Sequence, residues 1–461
     1  MLTLFFFTWG FIAAEHEKFP WELIKPVDKE ISAFIKGGEA RQGAMDRLKH
    51  DLGIRPERML EDLWKNKERD YSSAETKGLK QRRDDPLLFM DENRAFPPGY
   101  IIVWGAFDFE QSLYGAILID ENGRVIHKWI PDPDAFRQEI DKRSHEEQGR
   151  GDEIKYKTPK DLPQGFSVFP DGSVVFNDGD PGNGMQRIDF CSEPLWVKLG
   201  SFNHSITKQQ NDQALWTIEG DSVNRLHKID ADTGKTKNII EISGIMKSNP
   251  EDDILSLRYD DLDNRWLNDR WHFNDAEALP ARYADSFEDF NTGDLLLSSR
   301  SLNALMVVDP ETEKIKWRSM GSFLRQHDPD WQEDGTITVY DNQTRDARGG
   351  GRRKEDETPK FSRILSIEPD KNEQETLYNG STDWFYSRIR GKHQVLPDGS
   401  ILITSSVQGR VFIADKKGKT VFEFLNRYDD KQSLLVSEAV WVPKDYFDFA
   451  PEEKTCGSSG S

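Results

Sequence analysis

From Gly99 onward the chain consists of short apolar runs separated by tight-turn dipeptides, and this order recurs in six units. Asp-Gly, Asn-Gly and Thr-Gly provide the turns, because glycine takes positive φ without a Cβ clash and a short polar side chain bonds its own backbone. Runs of four to eight residues rich in Val, Ile, Phe and Leu between such turns are read as strands. A four-stranded unit of this kind cannot bury its own faces, so repeated units stack around an axis.

The first unit runs from Tyr100 to Trp129 and turns at Asn122-Gly123, and the second holds Asp171-Gly172 before Ser173–Phe176. The third extends from His204 to Gly234, and the fourth from His272 to Trp317. The fifth starts at His327 and turns at Asp334-Gly335; the sixth turns at Asp398-Gly399 and ends near Phe424. The remaining run, Ser437–Pro443, is free to lend a strand to the first unit and close the ring. The expected fold is all-β: a six-bladed β-propeller of four-stranded antiparallel blades over residues 99–445.

The flanks read differently. Residues 1–18 are apolar and nearly uncharged, shorter than a full membrane span and without the basic start of a good export signal. The expectation is a signal-anchor or export signal, placing the protein outside the cytoplasm or giving it an N-terminal membrane contact. Residues 19–98 show helix-like spacing around Pro26–Ile35 and Ala44–Leu52, and Arg55-Pro56 resembles a helix start. They are assigned to a helical arm and linker, and residues 446–461 to a flexible tail. Gln343–Lys360, with Gly349–Gly351, reads as a polar excursion from the fifth unit.

A net charge of −20 argues against nucleic-acid binding by phosphate neutralisation. Two cysteines, Cys191 and Cys456, exclude a disulfide framework, and the tail position of Cys456 argues against a bridge between them.

Three of the nine histidines lead their units: His204, His272 and His327. Counting back from the turns puts His204 and His327 in register to about one residue, the scatter that irregular loops allow. In a ring, corresponding leading positions converge on the axis. Arg300 ends the run Leu295–Ser299, where a buried guanidinium needs an anion. His393 lies nearer its turn and is assigned to the wall of the pocket.

Three imidazoles suit zinc with an open position, but an arginine beside them repels a cation. They also suit a tetrahedral oxyanion, with Arg and imidazolium neutralising its oxygens while a neutral imidazole attacks. No phosphate-cradling glycine loop is present, so neither a nucleotide nor another cofactor is called for. A non-catalytic propeller that binds an anionic ligand or a protein partner remains the alternative.

Several fragments taken in order resemble the arylsulfate sulfotransferase (ASST) family. They are His204–Thr207, His272–Asp275, Ser298–Asn303, Gln326–Asp328, Tyr340–Asn342, Gln394–Ile403 and Phe422–Asn426. The resemblance covers roughly Gly99 to Val442. It implies a six-bladed propeller that moves a sulfuryl group from a phenolic sulfate ester to a phenol acceptor without a nucleotide donor, metal or cofactor. By the same resemblance His327 is the nucleophile, and His204, His272, Asn274 and Arg300 hold the sulfuryl oxygens. Trp331, Trp384 and Phe385 are aromatics that either stack phenol rings or pack the blades. The helical N-terminal region and the lack of a cysteine pair near the site loops depart from well-known periplasmic members.

Overall fold

A computed structural model describes residues 60–62, 72–73, 87–91 and 96–456, apart from short gaps and longer ones at 147–162 and 345–360. The chain divides into Met1–Glu57 and Arg58–Ser461. The apolar segment, most of the expected arm and nearly all of the polar excursion lie outside the described residues.

The second unit is a six-bladed antiparallel β-propeller. From the innermost strand outward, blade one comprises Val436–Pro443, Gly99–Ala106, Tyr114–Ile119 and Val125–Trp129. Blade two comprises Phe166–Val168, Val174–Asn177, Gly184–Ile188 and Pro194–Leu199. Blade three comprises Phe202–Gln209, Ala214–Glu219, Arg225–Asp230 and Thr236–Glu241. Blade four comprises Phe273–Ala278, Leu295–Ser299, Ala304–Val308 and Ile315–Met320. Blade five comprises His327–Trp331, Ile337–Asp341, Arg363–Glu368 and Glu373–Asn379. Blade six begins with Lys392–Val395, Ile401–Ser405, Arg410–Ala414 and Thr420–Leu425.

Two features of this ring follow from simple chemistry. Gly172, Gly335 and Gly399 take φ of 82°, 85° and 78° in equivalent turns. The preceding aspartates Asp171, Asp334 and Asp398 accept the backbone N–H two residues on. The second feature is the period-two alternation of a strand. In Leu295–Ser299 every residue is buried, because neighbouring blades cover both faces. Leu297 packs with Trp216 and Ile218 of blade three, whereas adjacent Leu296 packs with Ile337 and Val339 of blade five. Likewise Leu402 joins Val103 and Ile117 of blade one, and Ile403 joins Tyr340 and Ile364 of blade five. Each inter-blade seam thus has its own apolar layer, and truncating one such leucine to alanine costs about 2–5 kcal/mol. The apolar residues are spent in the seams, which leaves the axis to polar side chains.

Val436–Pro443 pairs antiparallel with Gly99–Ala106, so the first blade takes its innermost strand from the far end of the chain, as expected. The N-terminal flank differs from expectation. Its described residues form strands: Leu87–Met90 extends blade six by pairing with Phe422–Leu425, Ser72–Ser73 pairs with Leu87–Leu88, and Leu60–Asp62 pairs with Gln432–Leu434. An open sheet edge offers a ladder of hydrogen bonds to an apolar segment such as Leu87–Met90, whereas the helix-like stretches Pro26–Ile35 and Ala44–Leu52 lie outside the described residues.

The C-terminal segment also departs from expectation. Through Cys456 it packs across blades one and two. Tyr446 Oη donates to the Val168 carbonyl at 2.6 Å, the Phe449 ring lies 4.9 Å from Phe190, and Tyr100 Oη donates to Glu452 at 2.8 Å. Cys456 forms a disulfide with Cys191, correcting the expectation that the pair stays unbridged. Among the described residues no helix is long and apolar enough to cross a membrane.

Candidate active site

The innermost strands of blades three, four and five share an irregularity at their leading ends. Pairing slips between Asn203 and Ile206, between Phe273 and Asp275, and between His327 and Asp330. Within the first and third slips His204 and Asp328 take φ of 58° and 53°, and His272, just ahead of the second, takes 48°. Arg390 does the same at 58° just before blade six, followed by Gly391 at 104°. Non-glycine residues in this region cost about 1–3 kcal/mol each, and bulges re-aim side chains; both cluster where function constrains the backbone. The sequence match between His204 and His327 holds to one residue. His204 lies inside its bulge, whereas His327 pairs with Tyr340 immediately before its own.

The hydrogen bonds of His327 set its tautomer. Its Nδ1 faces two acceptors, Asn342 Oδ1 at 2.7 Å and the Arg325 carbonyl at 3.0 Å, so Nδ1 carries the proton. The Asn342 amide is itself oriented, because its Nδ2 donates to the carbonyls of Ser387 and Arg390 at 2.8 and 2.6 Å. The lone pair is therefore on Nε2, which accepts the backbone N–H of Arg390 at 3.2 Å. Burial, with the nearby Arg300 charge, pushes His327 down to about 3, so the ring is neutral over the working range of pH.

Four other expected residues, His204, His272, Arg300 and Asn274, gather around it. The rings of His204 and His272 lie 4.8 Å apart. Burial, then His272, His327 and Arg300, push His204 well below the ordinary histidine range. The backbone N–H of Arg300 donates to the His272 carbonyl at 3.0 Å, fixing the end of blade four's second strand to that histidine. Asn274 lines the same pocket, but its Nδ2 donates to the Gln326 carbonyl at 2.8 Å. Its Oδ1 is the atom without a hydrogen-bond partner. In this rotamer Asn274 offers an acceptor, not the donor expected for a sulfuryl oxygen.

His393 is set apart from this pocket. Its Nδ1 lies 3.0 Å from Asp328 and its Nε2 lies 2.8 Å from Thr338 Oγ1. The aromatics Trp331 and Phe385 are buried packing residues, Trp331 against Phe287 and Phe290 and Phe385 against Tyr340, Tyr378 and Phe412. Trp384 is exposed.

A cavity of about 30 Å³ lies among His204, Asn274, Asp275, His327, Arg390 and Lys392. At roughly 10–15 Å³ per water, it admits a small polar group and excludes an aromatic ring. Among its lining residues, Lys392, Arg390, Asp275 and Asp328 have no role assigned from the sequence. Lys392 Nζ bridges Asp328 Oδ1 at 2.6 Å and Asp275 Oδ2 at 3.2 Å, joining blades four, five and six. Burial opposes the Lys392 charge, but the two carboxylates hold its ammonium well above the ordinary range. Burial also works against ionised Asp328, yet Lys392 and His393 outweigh it and hold Asp328 at about 2. Asp275 goes the other way: burial raises it to about 6. Arg390 extends from its backbone contact to donate to Ser437 Oγ at 2.9 Å and the Pro163 carbonyl at 3.2 Å.

Further along the innermost strands of blades four, five and one stand Glu277, Asp330 and Glu438. Burial raises Glu277 and Glu438 to about 8 each, and raises Asp330 well above the ordinary carboxyl range. Among the described residues, only Asp328, Asp330 and His393 bring metal-ligating atoms close together, within 4.8 Å. Asp328 there already pairs with Lys392 and His393. The three leading histidines do not form such a group, which removes the geometric support for a three-histidine zinc site.

The family model described as arylsulfotransferase (ASST) matches residues 168–427, more than half of the chain and all five residues of the histidine–arginine–asparagine cluster. No curated protein matches the sequence. Among solved structures, a protein of unknown function from Bacteroides caccae is 10% identical, covers 75% of this chain and 99% of its own, and superposes with a TM-score of 0.44. Kuenenia stuttgartiensis hydrazine synthase is 11% identical over 67% of this chain and 72% of its own, with a TM-score of 0.39. Virginiamycin B lyase from Staphylococcus aureus is 11% identical over 56% and 69%, with a TM-score of 0.33.

Proposed function

This chain belongs to the arylsulfotransferase family, and from that premise we propose that it moves a sulfuryl group from a phenolic sulfate ester to a phenol in two displacements through His327. The observation that carries this reading is the fixed tautomer of His327, with its proton on Nδ1 held by Asn342 and its lone pair on Nε2. An imidazole kept neutral by burial and a neighbouring arginine is a competent nucleophile at any pH the enzyme meets.

In the first displacement Nε2 attacks sulfur, the N–S bond forms and the aryl oxygen departs with the S–O electron pair. Positive charge develops on the ring as it bonds to sulfur, and the Asn342 amide oxygen at Nδ1–H stabilises it. Arg300 does not line the cavity, but its charge reaches His327 and offsets part of the charge on the sulfuryl oxygens. In the second displacement a phenol oxygen takes the sulfuryl group from Nε2. Donor and acceptor use the same pocket in turn, which gives ping-pong kinetics. The small cavity supports this division of space: the sulfuryl head enters while the aryl ring stays at the mouth.

Incubation with 4-nitrophenyl sulfate and a phenol tests the reading. The expected result is nitrophenol release that depends on acceptor, with transfer lost in His327→Ala. Release at the same rate from His327→Ala contradicts it. Stabilisation by aryl sulfate with no transfer product points instead to a propeller that only binds anions.

The Cys191–Cys456 bridge also supports a site of action in an oxidising compartment, reached by export or by anchoring through the apolar N-terminal segment. Alkylation of the protein as it leaves its own cells tests this. A bridged pair is expected, and two free thiols contradict it.

A further inference from the structure

Sulfuryl transfer between phenols borrows a proton. When the donor ester breaks, the departing aryl oxygen leaves as phenolate and must be protonated; when the acceptor attacks, its phenolic proton must go somewhere. His327 cannot lend it, because its Nδ1 proton is committed to Asn342 and Arg325 and its Nε2 carries the sulfuryl group. His204 is held in the neutral form by burial and by its cationic neighbours. Lys392 keeps its proton, paired with the Asp328 carboxylate at 2.6 Å whichever form Asp275 takes. His272 does not line the cavity.

Asp275 remains. It lines the cavity with His327 and Asn274, its Oδ2 meets Lys392 at 3.2 Å, and its neighbour Asp328 is held in place by Lys392 and His393. Within the transfer proposed above, on which this inference rests, we propose that Asp275 is the proton-transferring residue: its carboxyl protonates the departing aryl oxygen and its carboxylate then takes the proton of the acceptor phenol. In the first half-reaction the Nε2–S bond forms, the S–O(aryl) bond breaks and the proton moves from Asp275 to the aryl oxygen. The second half-reaction runs these changes in reverse on the acceptor, so Asp275 ends as it began. Burial, which brings Asp275 up to about 6, keeps both of its forms within reach near neutral pH. The partnerless Oδ1 of Asn274, beside it in the sequence, provides an acceptor to hold a phenolic O–H in place.

The test separates donors by how much their leaving group needs a proton. 4-Nitrophenolate leaves readily unprotonated, whereas unsubstituted phenolate does not. Rapid mixing of the full chain with each ester, reading the first release of phenol, should show Asp275→Asn slowed about 100-fold or more with phenyl sulfate and less than about tenfold with 4-nitrophenyl sulfate. Asp275→Glu keeps the charge opposite Lys392 and is the fallback should the amide variant not fold; it should show the same bias between donors at smaller size. Equal losses for the two esters make Asp275 a structural partner of Lys392 and overturn the inference while leaving the proposed transfer intact. An unsubstituted chain that releases nothing from 4-nitrophenyl sulfate overturns both.

Discussion

The side-chain oxygen of Asn342 stands 2.7 Å from Nδ1 of His327, and the Asn342 amide nitrogen is fixed by two backbone carbonyls. An asparagine so held cannot flip, so it dictates which ring nitrogen of the histidine carries the lone pair.

Replacing Asn342 with leucine removes that control and leaves two carbonyls without their donor. Transfer from 4-nitrophenyl sulfate should fall about 100-fold in kcat, the scale of losing one preorganised group at a reacting centre, with a smaller change in KM. Steady-state kinetics checks this. A change confined to KM would show that Asn342 shapes the pocket without setting the tautomer.

Stability should peak on the acid side of neutrality. His327 and His127 are lowered to about 3 and about 4, and burial holds His204 well below the ordinary histidine range. The unfolded chain therefore binds their protons first, and their contribution is lost as pH falls below 6.5. Glu277 and Glu438 are raised to about 8 from 4.5, so the folded chain keeps protons that the unfolded chain releases, and their contribution is lost as pH rises from 4.5 to 8. The two losses place the highest Tm at about pH 5–6. Glu277→Gln should flatten the alkaline side in a calorimetric series. A Tm that climbs steadily to pH 8 in the unsubstituted chain contradicts this assignment.

Breaking the Cys191–Cys456 bridge should destabilise without slowing transfer. The bridge joins residues 265 apart in sequence and holds the C-terminal segment, through Phe449, against Phe190. Cys456→Ser is expected to cost about 2–4 kcal/mol by denaturant titration, with kcat unchanged because the bridge lies on the outer face of blades one and two. A comparable fall in kcat would instead couple the strap to the site.

What could be read from the sequence follows the range of the interactions involved. Asp171-Gly172, Asp334-Gly335 and Asp398-Gly399 announce their turns because the chemistry of a turn is contained in two or three residues. His204 and His327 were visible for the same reason, since both stand at nearly the same distance from such a turn, whereas His272 is followed by a longer excursion and gave a weaker signal. Lys392 gave no such signal: its meaning comes from Asp275 and Asp328, which belong to two other blades and meet it only once the ring closes. Arg390 reads as an ordinary charged residue until its positive φ is seen. Leu87–Met90 became a strand because an open edge of blade six was there to pair with it. Cys456 looked idle because its partner lies most of the propeller away along the chain.

The most direct test of the central claim is the intact mass of the protein within seconds of mixing with an aryl sulfate and no acceptor, followed by peptide mapping under alkaline conditions that spare an N–S bond. The account predicts one sulfuryl group per chain, located on His327, that disappears when a phenol is added and never forms in His327→Ala. An adduct on another residue, or acceptor-dependent turnover with no adduct at all, contradicts it.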